Sequence, residues 1–231
     1  MDFRDRHIVI TGGAGALGTA VVTALVEAGA ICHVPCLDEA EAQRFKLRDN
    51  KQVALVVTGN LADEGNIGRL YGAIAPLWAS IHLAGGFAAG ALREASAATL
   101  QQQISMNFLS CLFCCRAAVN AMAGRGGRIV NVAARPGLEW RSGAGMAAYA
   151  ASKAAVAALT VALAEEVAKD GILVNAIAPS IMDTPANRSA MPKADYSLWP
   201  KVEEVAATIL FLASPDNRVT RGAVVPVYGK S

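Results

Sequence analysis

The chain has 231 residues, a formal net charge of +2, 54% hydrophobic residues and 17% charged residues. This composition provides enough apolar surface for a buried core and excludes an intrinsically disordered chain. Lysine and arginine number 21 against 19 acidic residues, so the charge balance gives no reason to expect nucleic acid or an anionic membrane as partner. We therefore expect a small-molecule substrate and a single domain over residues 1–231.

Short apolar runs alternate with helical patterns along the whole chain. The predicted strands are His7–Thr11, Ile31–Cys36, Gln52–Val57, Ser80–Ala84, Gly127–Val132, Ile172–Ile177 and Ala223–Val227. The predicted helices are Ala16–Ala28, Glu39–Phe45, Asp63–Ala73, Ala95–Met122, Met146–Lys169 and Val202–Leu212. This alternation predicts an α/β fold with a doubly wound parallel sheet, the Rossmann fold, whose ligand binds beyond the C-terminal ends of the strands.

The sequence predicts no membrane-spanning helix, no signal peptide and no metal site. The uncharged stretch 70–92 contains Pro76, Gly85, Gly86 and Gly90, which would break a membrane-spanning helix. The N-terminus carries charges of both signs, unlike a signal peptide. The five cysteines lack disulfide spacing, which favours a reducing, cytoplasmic location. Cys111, Cys114 and Cys115 have helical spacing without an interleaved histidine or acid, so we expect packing and no metal site.

A glycine-rich turn follows the first predicted strand. Gly13, Gly15 and Gly18 have the spacing G-x-G-x-x-G and lie between that strand and the next helix. Glycines let the backbone turn tightly and approach a pyrophosphate, which the positive end of the helix then stabilises. In this context the pattern predicts a dinucleotide site.

Tyr149 and Lys153 lie one helical turn apart in an alanine-rich helix that follows the fifth strand. The i,i+4 spacing places both side chains on one face of the helix. A lysine ammonium beside a tyrosine lowers the pKa of the phenol and makes it a usable acid or base. The pair is therefore a candidate for proton transfer.

These motifs, taken in order, resemble those of the short-chain dehydrogenase/reductase family over essentially the whole chain. In addition to the glycine-rich turn and the Tyr149–Lys153 pair, the resemblance includes His82-Leu83-Ala84-Gly85 after the fourth strand, Asn107 in the long helix, the strand Gly127–Val132 and the segment Asn175-Ala176-Ile177-Ala178-Pro179. The resemblance implies an enzyme that transfers hydride between a nicotinamide cofactor and a small carbonyl, alcohol or quinonoid substrate.

The resemblance also implies roles for individual residues. Tyr149 would donate the proton, Lys153 would bind the nicotinamide ribose and lower the tyrosine pKa, and Asn107 would hold a water of a proton relay. Thr184 would contact the nicotinamide carboxamide or the phosphates. The implied cofactor-binding positions are Gly12, Gly15, Ala16, Leu17, Gly18, Cys36, Asp38, Asn60, Leu61, Ala84, Gly85, Gly86, Tyr149, Lys153, Pro179, Ile181 and Thr184.

The chain also departs from the family pattern. The serine expected after the fifth strand is replaced by Ala134, and counting thirteen residues back from Tyr149 reaches Pro136, so neither alignment offers a hydroxyl. Loss of such a donor typically costs about 10²–10³ in rate. The dihydropteridine reductase branch also lacks this serine, and its turn and its Ala-Gly-Gly-aromatic segment are similar to residues 12–18 and 84–87. That local resemblance suggests a conjugated or quinonoid substrate.

The cofactor is NAD or NADP, and the sequence favours NAD slightly. Cys36 occupies the position of the family's NAD-selecting acid, and Asp38 follows two residues later. No arginine or lysine closely follows Cys36 to pair with a 2′-phosphate. Asp38 could equally be the N-cap of the next helix.

Two alternatives to an active enzyme remain at this stage. Replacement of the serine by Ala134 is also compatible with a nucleotide-binding regulatory or scaffold protein with impaired turnover, and a structural assembly subunit is a third reading. We expect a compact substrate pocket covered by a loop at about 186–199. The wide apolar faces of Ala95–Met122 and Met146–Lys169 predict a homodimer or homotetramer.

Overall fold

The computed structural model describes residues 1–231 and contains seven strands in one sheet. The strands are β1 (His7–Thr11), β2 (Ile31–Cys36), β3 (Val53–Val57), β4 (Leu77–His82), β5 (Gly127–Val132), β6 (Ile172–Pro179) and β7 (Val224–Val227). Their order is β3-β2-β1-β4-β5-β6-β7 and every pairing is parallel. The predicted doubly wound Rossmann fold is confirmed.

Nine α-helices connect and cover the strands. They are α1 (Ala16–Glu27), α2 (Glu39–Arg44), α3 (Glu64–Gly72), α4 (Ala97–Ile104), α5 (Ser110–Met122), α6 (Arg135–Leu138), α7 (Ala147–Glu166), α8 (Pro185–Ala190) and α9 (Val202–Ala213). A π-helical turn, Ser105–Leu109, joins α4 to α5. Short 3₁₀ turns lie at Leu92–Glu94, Trp140–Gly143, Ala168–Asp170 and Tyr196–Leu198.

Both faces of the sheet are buried, and β1 shows how. Ile8 and Ile10 pack into a core with α1 and α9, whereas Val9 packs into the opposite core with α3, α5 and α7. Successive side chains of a strand point to opposite faces, so a strand buried on both sides needs an uninterrupted apolar run. The continuous apolar pattern of the sequence is thus the pattern that this fold requires.

The order of the strands reverses between β1 and β4, which are neighbours although β2 and β3 lie between them in sequence. Beyond His82 the chain stays against β1, because the Ala84 amide donates to the Thr11 hydroxyl at 3.2 Å. In open α/β sheets such a reversal leaves a crevice at the C-terminal ends of the strands. The fold therefore places the ends of β1 and β4 at one ligand-binding edge.

Several element boundaries differ from the sequence predictions, and β4 is the clearest case. Strand β4 begins at Leu77, directly after Pro76, rather than at Ser80, and ends at His82 rather than Ala84. The predicted single helix Ala95–Met122 is divided by the π turn. The segment 135–143, for which no element was predicted, contains α6 and a 3₁₀ turn.

Two helical stretches, Ala97–Met122 and Ala147–Glu166, are long and apolar enough to cross a membrane by length and composition alone. Both contribute to the helical layer on one face of the sheet, where α5 contacts β4 and β5 and α7 contacts β5 and β6. Helices in the core of a globular protein pass the same test, so this property does not distinguish a membrane span.

Candidate active site

The glycine-rich turn closes tightly between β1 and α1. Gly12 has a φ of +65°, and a Cβ there would lie 2.7 Å from the Ala84 nitrogen. A Cβ on Gly18 would lie 2.2 Å from the Gly12 carbonyl oxygen. Both positions thus exclude side chains, whereas at Gly15 the nearest atom would be 3.3 Å away. Gly12, which precedes the three glycines of the predicted dinucleotide spacing, is therefore a further position of this turn that requires glycine.

The turn leads into a helix whose N-terminus has no side-chain cap. Gly15 is the N-cap residue of α1 and supplies no side chain, and the first turn contains no acidic residue. The first N–H groups of a helix lack partners within the helix and carry partial positive charge. Ala16 and Leu17, the first residues of α1, therefore belong to a turn that is suited to an anion.

A cleft of about 420 Å³ extends from this turn over the ends of β2, β3 and β4. Six of the predicted cofactor residues line it, namely Gly12, Cys36, Asn60, Leu61, Ala84 and Gly85. The lining also contains residues that the sequence analysis did not single out, namely Pro35, Leu37, Glu41, Thr58, Gly59, Gln102, Ser105, Met106 and Ser110. The other predicted cofactor positions lie outside this lining, namely Gly15, Ala16, Leu17, Gly18, Asp38, Gly86, Tyr149, Lys153, Pro179, Ile181 and Thr184.

Asp38 is the N-cap of α2, and its carboxylate accepts the Glu41 amide at 2.7 Å. Glu41 instead lines the cleft, and its carboxylate accepts the Leu37 amide at 2.6 Å. Of the two roles considered for Asp38, the structure shows the helix N-cap. The spacing of the two acids, three residues apart at a helix start, is the sequence signal that could have identified Glu41.

Asn107 lies inside the π turn and is buried. Its side-chain oxygen accepts the Gly86 amide at 2.9 Å, and its side-chain nitrogen donates to the Gly86 carbonyl at 3.0 Å. Both polar atoms of the Asn107 side chain therefore fix the backbone after β4. The role of holding a water of a proton relay stays a prediction.

Lys153 and Asn107 converge on Gly85. A Cβ on Gly85 would lie 2.6 Å from Asn107 Oδ1 and 3.5 Å from Lys153 Nζ. The Lys153 ammonium donates to the Val132 carbonyl at 2.8 Å, and burial lowers its pKa to about 8. A side chain at position 85 would separate these two groups, so glycine there permits their approach.

Tyr149 stands one turn before Lys153 on α7 and packs edge-to-face on Phe87, with ring centroids 5.0 Å apart. Burial raises the pKa of Tyr149 to about 12. This direction is opposite to the lowering expected from Lys153, because burial disfavours the phenolate.

The position of the expected serine contains no hydroxyl. Ala134 is buried, follows β5 and is the N-cap residue of α6. Helix α6 packs closely on α7, since a Cβ on Gly137 would lie 2.7 Å from the Lys153 carbonyl carbon. Helix α6 and the 3₁₀ turn Trp140–Gly143 occupy the segment between Ala134 and Tyr149.

Residues after β6 lie near the same end of the sheet. Pro179 is the last residue of β6, Ile181 is partly exposed, and Thr184 is the N-cap of α8, where its hydroxyl accepts the Asn187 amide at 3.2 Å. The predicted substrate loop at 186–199 contains most of α8 and the turn Tyr196–Leu198.

Two histidine arrangements were missed in the sequence. His7 Nδ1 lies 2.9 Å from His33 Nε2 across β1 and β2, where the sequence offered no partner for His7. His82 lies beside Cys111 and Cys115, although no histidine is near them in sequence. Both are contacts between separate elements, which neighbouring strands and helices create and local spacing does not reveal.

Comparison with known proteins agrees with this geometry. A family model described as short chain dehydrogenase matches residues 6–195. Galactitol 2-dehydrogenase from Rhizobium johnstonii is 34% identical, covering 96% of this chain and 93% of that protein. The dehydrogenase subunit BbsD from Thauera aromatica, named for a hydroxy(phenyl)methyl-succinyl-CoA substrate, is 31% identical, covering 99% and 97%.

A solved structure shows the same relationship. The oxidoreductase of the short chain dehydrogenase/reductase family from Burkholderia thailandensis superposes with a TM-score of 0.87 at 27% sequence identity. The match covers 97% of this chain and 92% of that one. The similarity therefore extends over the complete sheet and its helices.

Proposed function

The chain belongs to the short-chain dehydrogenase/reductase family and is an NAD(P)-dependent oxidoreductase, and from this premise we propose that Tyr149 is its acid/base. The observation that supports this proposal is the convergence of Lys153 and Asn107 on Gly85, with Tyr149 one turn away on the same helix. The substrate would be a small molecule with a secondary hydroxyl group or the corresponding carbonyl. No observation favours a regulatory protein without turnover.

The residues of the cleft fit a nicotinamide dinucleotide. Gly12 and Gly18 leave no room for a Cβ, so the backbone of the turn can approach a ligand closely. The uncapped start of α1 lies beside them, and both features suit a pyrophosphate. We assign Gly12, Gly15, Ala16, Leu17 and Gly18 to the pyrophosphate, and Cys36, Asp38, Asn60 and Leu61 to the adenosine side. On the nicotinamide side we assign Ala84, Gly85, Gly86, Tyr149, Lys153, Pro179, Ile181 and Thr184. The cofactor, when bound, supplies or accepts the hydride.

NAD is the proposed cofactor in preference to NADP. The part of the cleft beside β2 and β3 is lined by Leu37, Glu41 and Asn60, and its lining contains no arginine or lysine. A 2′-phosphate there would meet the Glu41 carboxylate without a compensating cation. Asp38, which caps α2 two residues after Cys36, contributes a second negative charge nearby.

Tyr149 donates a proton to the substrate oxygen during reduction and accepts one during oxidation. Lys153 places an ammonium group at the same site and holds the ribose, and its charge favours the phenolate form of Tyr149. Asn107 acts as a positioning residue, because its side chain fixes the Gly86 backbone that forms one wall of the site.

The substrate oxygen receives its hydrogen bond from Tyr149 without help from a serine, because Ala134 offers none. Phe87 packs on Tyr149 and would form an apolar wall of the substrate pocket, and the segment 186–199 would cover that pocket. These surfaces suit a compact substrate with an apolar or aromatic part. The Thauera relative named above, whose substrate name contains a phenyl group, is compatible with this proposal.

The direct test is turnover with NAD⁺ against a panel of secondary alcohols, and with NADH against the matching ketones and quinonoid compounds. Formation or loss of NADH, followed by its absorbance, would support the proposal. Binding of NAD(H) without turnover of any panel member would contradict the assigned chemistry. Failure to bind either cofactor would contradict the assignment of the cleft.

We further propose a cytoplasmic location and a homodimer or homotetramer. All five cysteines are buried free thiols, which is compatible with a reducing compartment. Helix α7 exposes Ala151, Ala158, Val161 and Ala162 on one side, although its other side packs on the sheet. An apolar stripe on a helix that already covers a sheet suits a symmetric contact with a second copy.

A further inference from the structure

Three metal-ligating side chains meet in the core below the candidate active site. His82 is the last residue of β4, and Cys111 and Cys115 lie one turn apart on α5. Their ligand atoms all lie within 4.8 Å of one another, and all three residues are buried. Two sulfur donors and one imidazole are the donor set that thiophilic divalent ions, zinc above all, prefer.

A fourth donor faces the same point. Asn131 Oδ1, on β5, lies 2.8 Å from His82 Nδ1 and 3.4 Å from each of the two cysteine sulfurs. The imidazole and both thiols thus face one oxygen, which has two lone pairs, and each sulfur also lies within 4.0 Å of His82 Nδ1. Four groups that can each offer a lone pair to a cation therefore face one point.

The nitrogen–sulfur distances are close to those of a tetrahedral zinc centre. Zinc lies about 2.3 Å from sulfur and about 2.0–2.1 Å from nitrogen, so tetrahedral angles place sulfur and nitrogen roughly 3.6 Å apart. His82 Nδ1 lies 3.5 Å from the Cys115 sulfur and 4.0 Å from the Cys111 sulfur. The 2.8 Å between His82 Nδ1 and Asn131 Oδ1 would have to lengthen by about half an ångström for both atoms to bind one ion.

Surrounding groups hold the ligands as a metal site requires. Ser80 Oγ lies 2.8 Å from His82 Nε2 and 2.7 Å from the Tyr71 hydroxyl, so the outer ring nitrogen has a partner when Nδ1 faces the ion. Asn131 Nδ2 donates to the Thr160 hydroxyl at 2.9 Å, which directs Oδ1 towards the cysteines. Such outer contacts orient the ligands of metal centres.

We propose that His82, Cys111, Cys115 and Asn131 form a structural zinc site. Binding replaces the protons of the two thiols, so two protons leave and the two thiolates neutralise the Zn²⁺ charge. All four positions are occupied by protein, so the ion has no open position for substrate. It would join β4, β5 and α5. This proposal replaces our expectation from the sequence that the cysteines only pack.

The first test is the metal content of protein purified without chelators. We expect about one zinc per chain by elemental analysis. Cys111→Ser and Cys115→Ser should each reduce this content at least fivefold. Cys114→Ser is the matched control, because Cys114 is a buried thiol on the same helix outside the donor set, and it should retain the zinc. Equal zinc loss in all three variants, or none in the wild type, overturns the proposal.

A second test does not depend on the variants folding. The wild-type chain is unfolded in denaturant with a chelator, freed of the chelator while still unfolded, and then refolded by removal of the denaturant with or without Co²⁺, because a buried ion must enter before the core closes. The proposal expects one equivalent of Co²⁺ with intense thiolate-to-cobalt absorption. Refolding to the native circular dichroism spectrum without this absorption overturns it. Neither measurement involves turnover, so both are independent of the proposed oxidoreductase mechanism.

Discussion

The pKa values of Tyr149 and Lys153 are shifted in opposite directions for the same reason. Burial raises the pKa of the tyrosine to about 12 and lowers that of the lysine to about 8, because it disfavours the charged form of each. The lysine ammonium donates to the Val132 carbonyl at 2.8 Å. Removal of the tyrosine hydroxyl is therefore the first test of the proposed acid/base.

Replacing Tyr149 by phenylalanine should abolish most activity while preserving the fold. The change removes one hydroxyl from a ring that packs on Phe87, so NAD(H) binding should persist. Turnover should fall about 10²–10⁴-fold, the usual contribution of a general acid. Steady-state kinetics and nucleotide titration measure the two effects. Tyr228→Phe, outside α7, is the control, and full activity of Tyr149→Phe would disprove the assignment.

Replacing Glu41 by glutamine should shift cofactor preference towards NADP. Glutamine keeps an acceptor for the Leu37 amide but removes the negative charge from the cleft. Removal of a nearby like charge is worth about 1 kcal/mol at a solvent-exposed site, or roughly fivefold in the NADP to NAD ratio of kcat/KM.

The matched control is Glu39→Gln, on the same turn of α2 but outside the cleft lining. It should leave the ratio unchanged. An equal shift in both variants would mean that only the general charge of the helix matters, and no shift in either would remove Glu41 from cofactor selection.

At the scale of elements, the turn between β1 and α1 has the tightest backbone contacts of the site. Gly18→Ala should place a methyl group 2.2 Å from the Gly12 carbonyl oxygen. Relief requires the turn to open, so we expect about 1–3 kcal/mol of lost stability and weaker nucleotide binding.

Gly68→Ala, in α3 with no atom within 4 Å of a new Cβ, should instead stabilise the chain by about 0.5–1 kcal/mol. Urea unfolding of both variants measures the contrast. A Gly18→Ala protein as stable as the wild type, with intact binding, would show that the turn adapts.

Elements were predictable where one local pattern decided them. Strand β1 and the start of α1 were predicted to the residue, because an apolar run followed by glycines has few other readings. The division of Ala95–Met122 could not be predicted, since the π turn depends on Asn107 reaching Gly86 from another part of the chain. For the same reason the sequence identified three cysteines on one helix but not the histidine that faces two of them.

At the scale of the whole molecule, the sheet couples distant ionisable groups, and His7 and His33 are the clearest pair. Their rings stack at 5.2 Å between β1 and β2. Burial, and then the neighbouring His7, lowers the pKa of His33 to about 4 from its usual 6.5. Between pH 6.5 and about 4, His33 therefore binds a proton more readily in the unfolded chain than in the folded chain.

Stability should consequently fall as pH decreases from 6.5 to about 4, and this contribution should be complete above pH 6.5. The ring is partly exposed, so we expect about 1–2 kcal/mol rather than the full value of the shift. Urea midpoints of the wild type and His33→Gln, compared between pH 7 and pH 4.5, isolate this contribution. Parallel pH profiles of the two proteins would contradict it.

Association should also be visible at this scale. If the exposed stripe of α7 contacts a second copy, light scattering at micromolar concentration should give the mass of a dimer or tetramer. Val161→Lys, at a position 46% exposed, should reduce that mass without unfolding the chain. A monomeric wild type would contradict the proposed assembly.

The start of α1 has no side-chain cap, and this has a consequence for the lifetime of the protein in a cell. The first N–H groups of a helix have no partner within it, and at this uncapped end an anionic ligand can replace the water that satisfies them. A ligand present at one hundred times its dissociation constant stabilises the folded chain by about 2.7 kcal/mol, and the opened population available to proteases falls in proportion. The abundance of this protein should therefore follow the nucleotide pool of its cell.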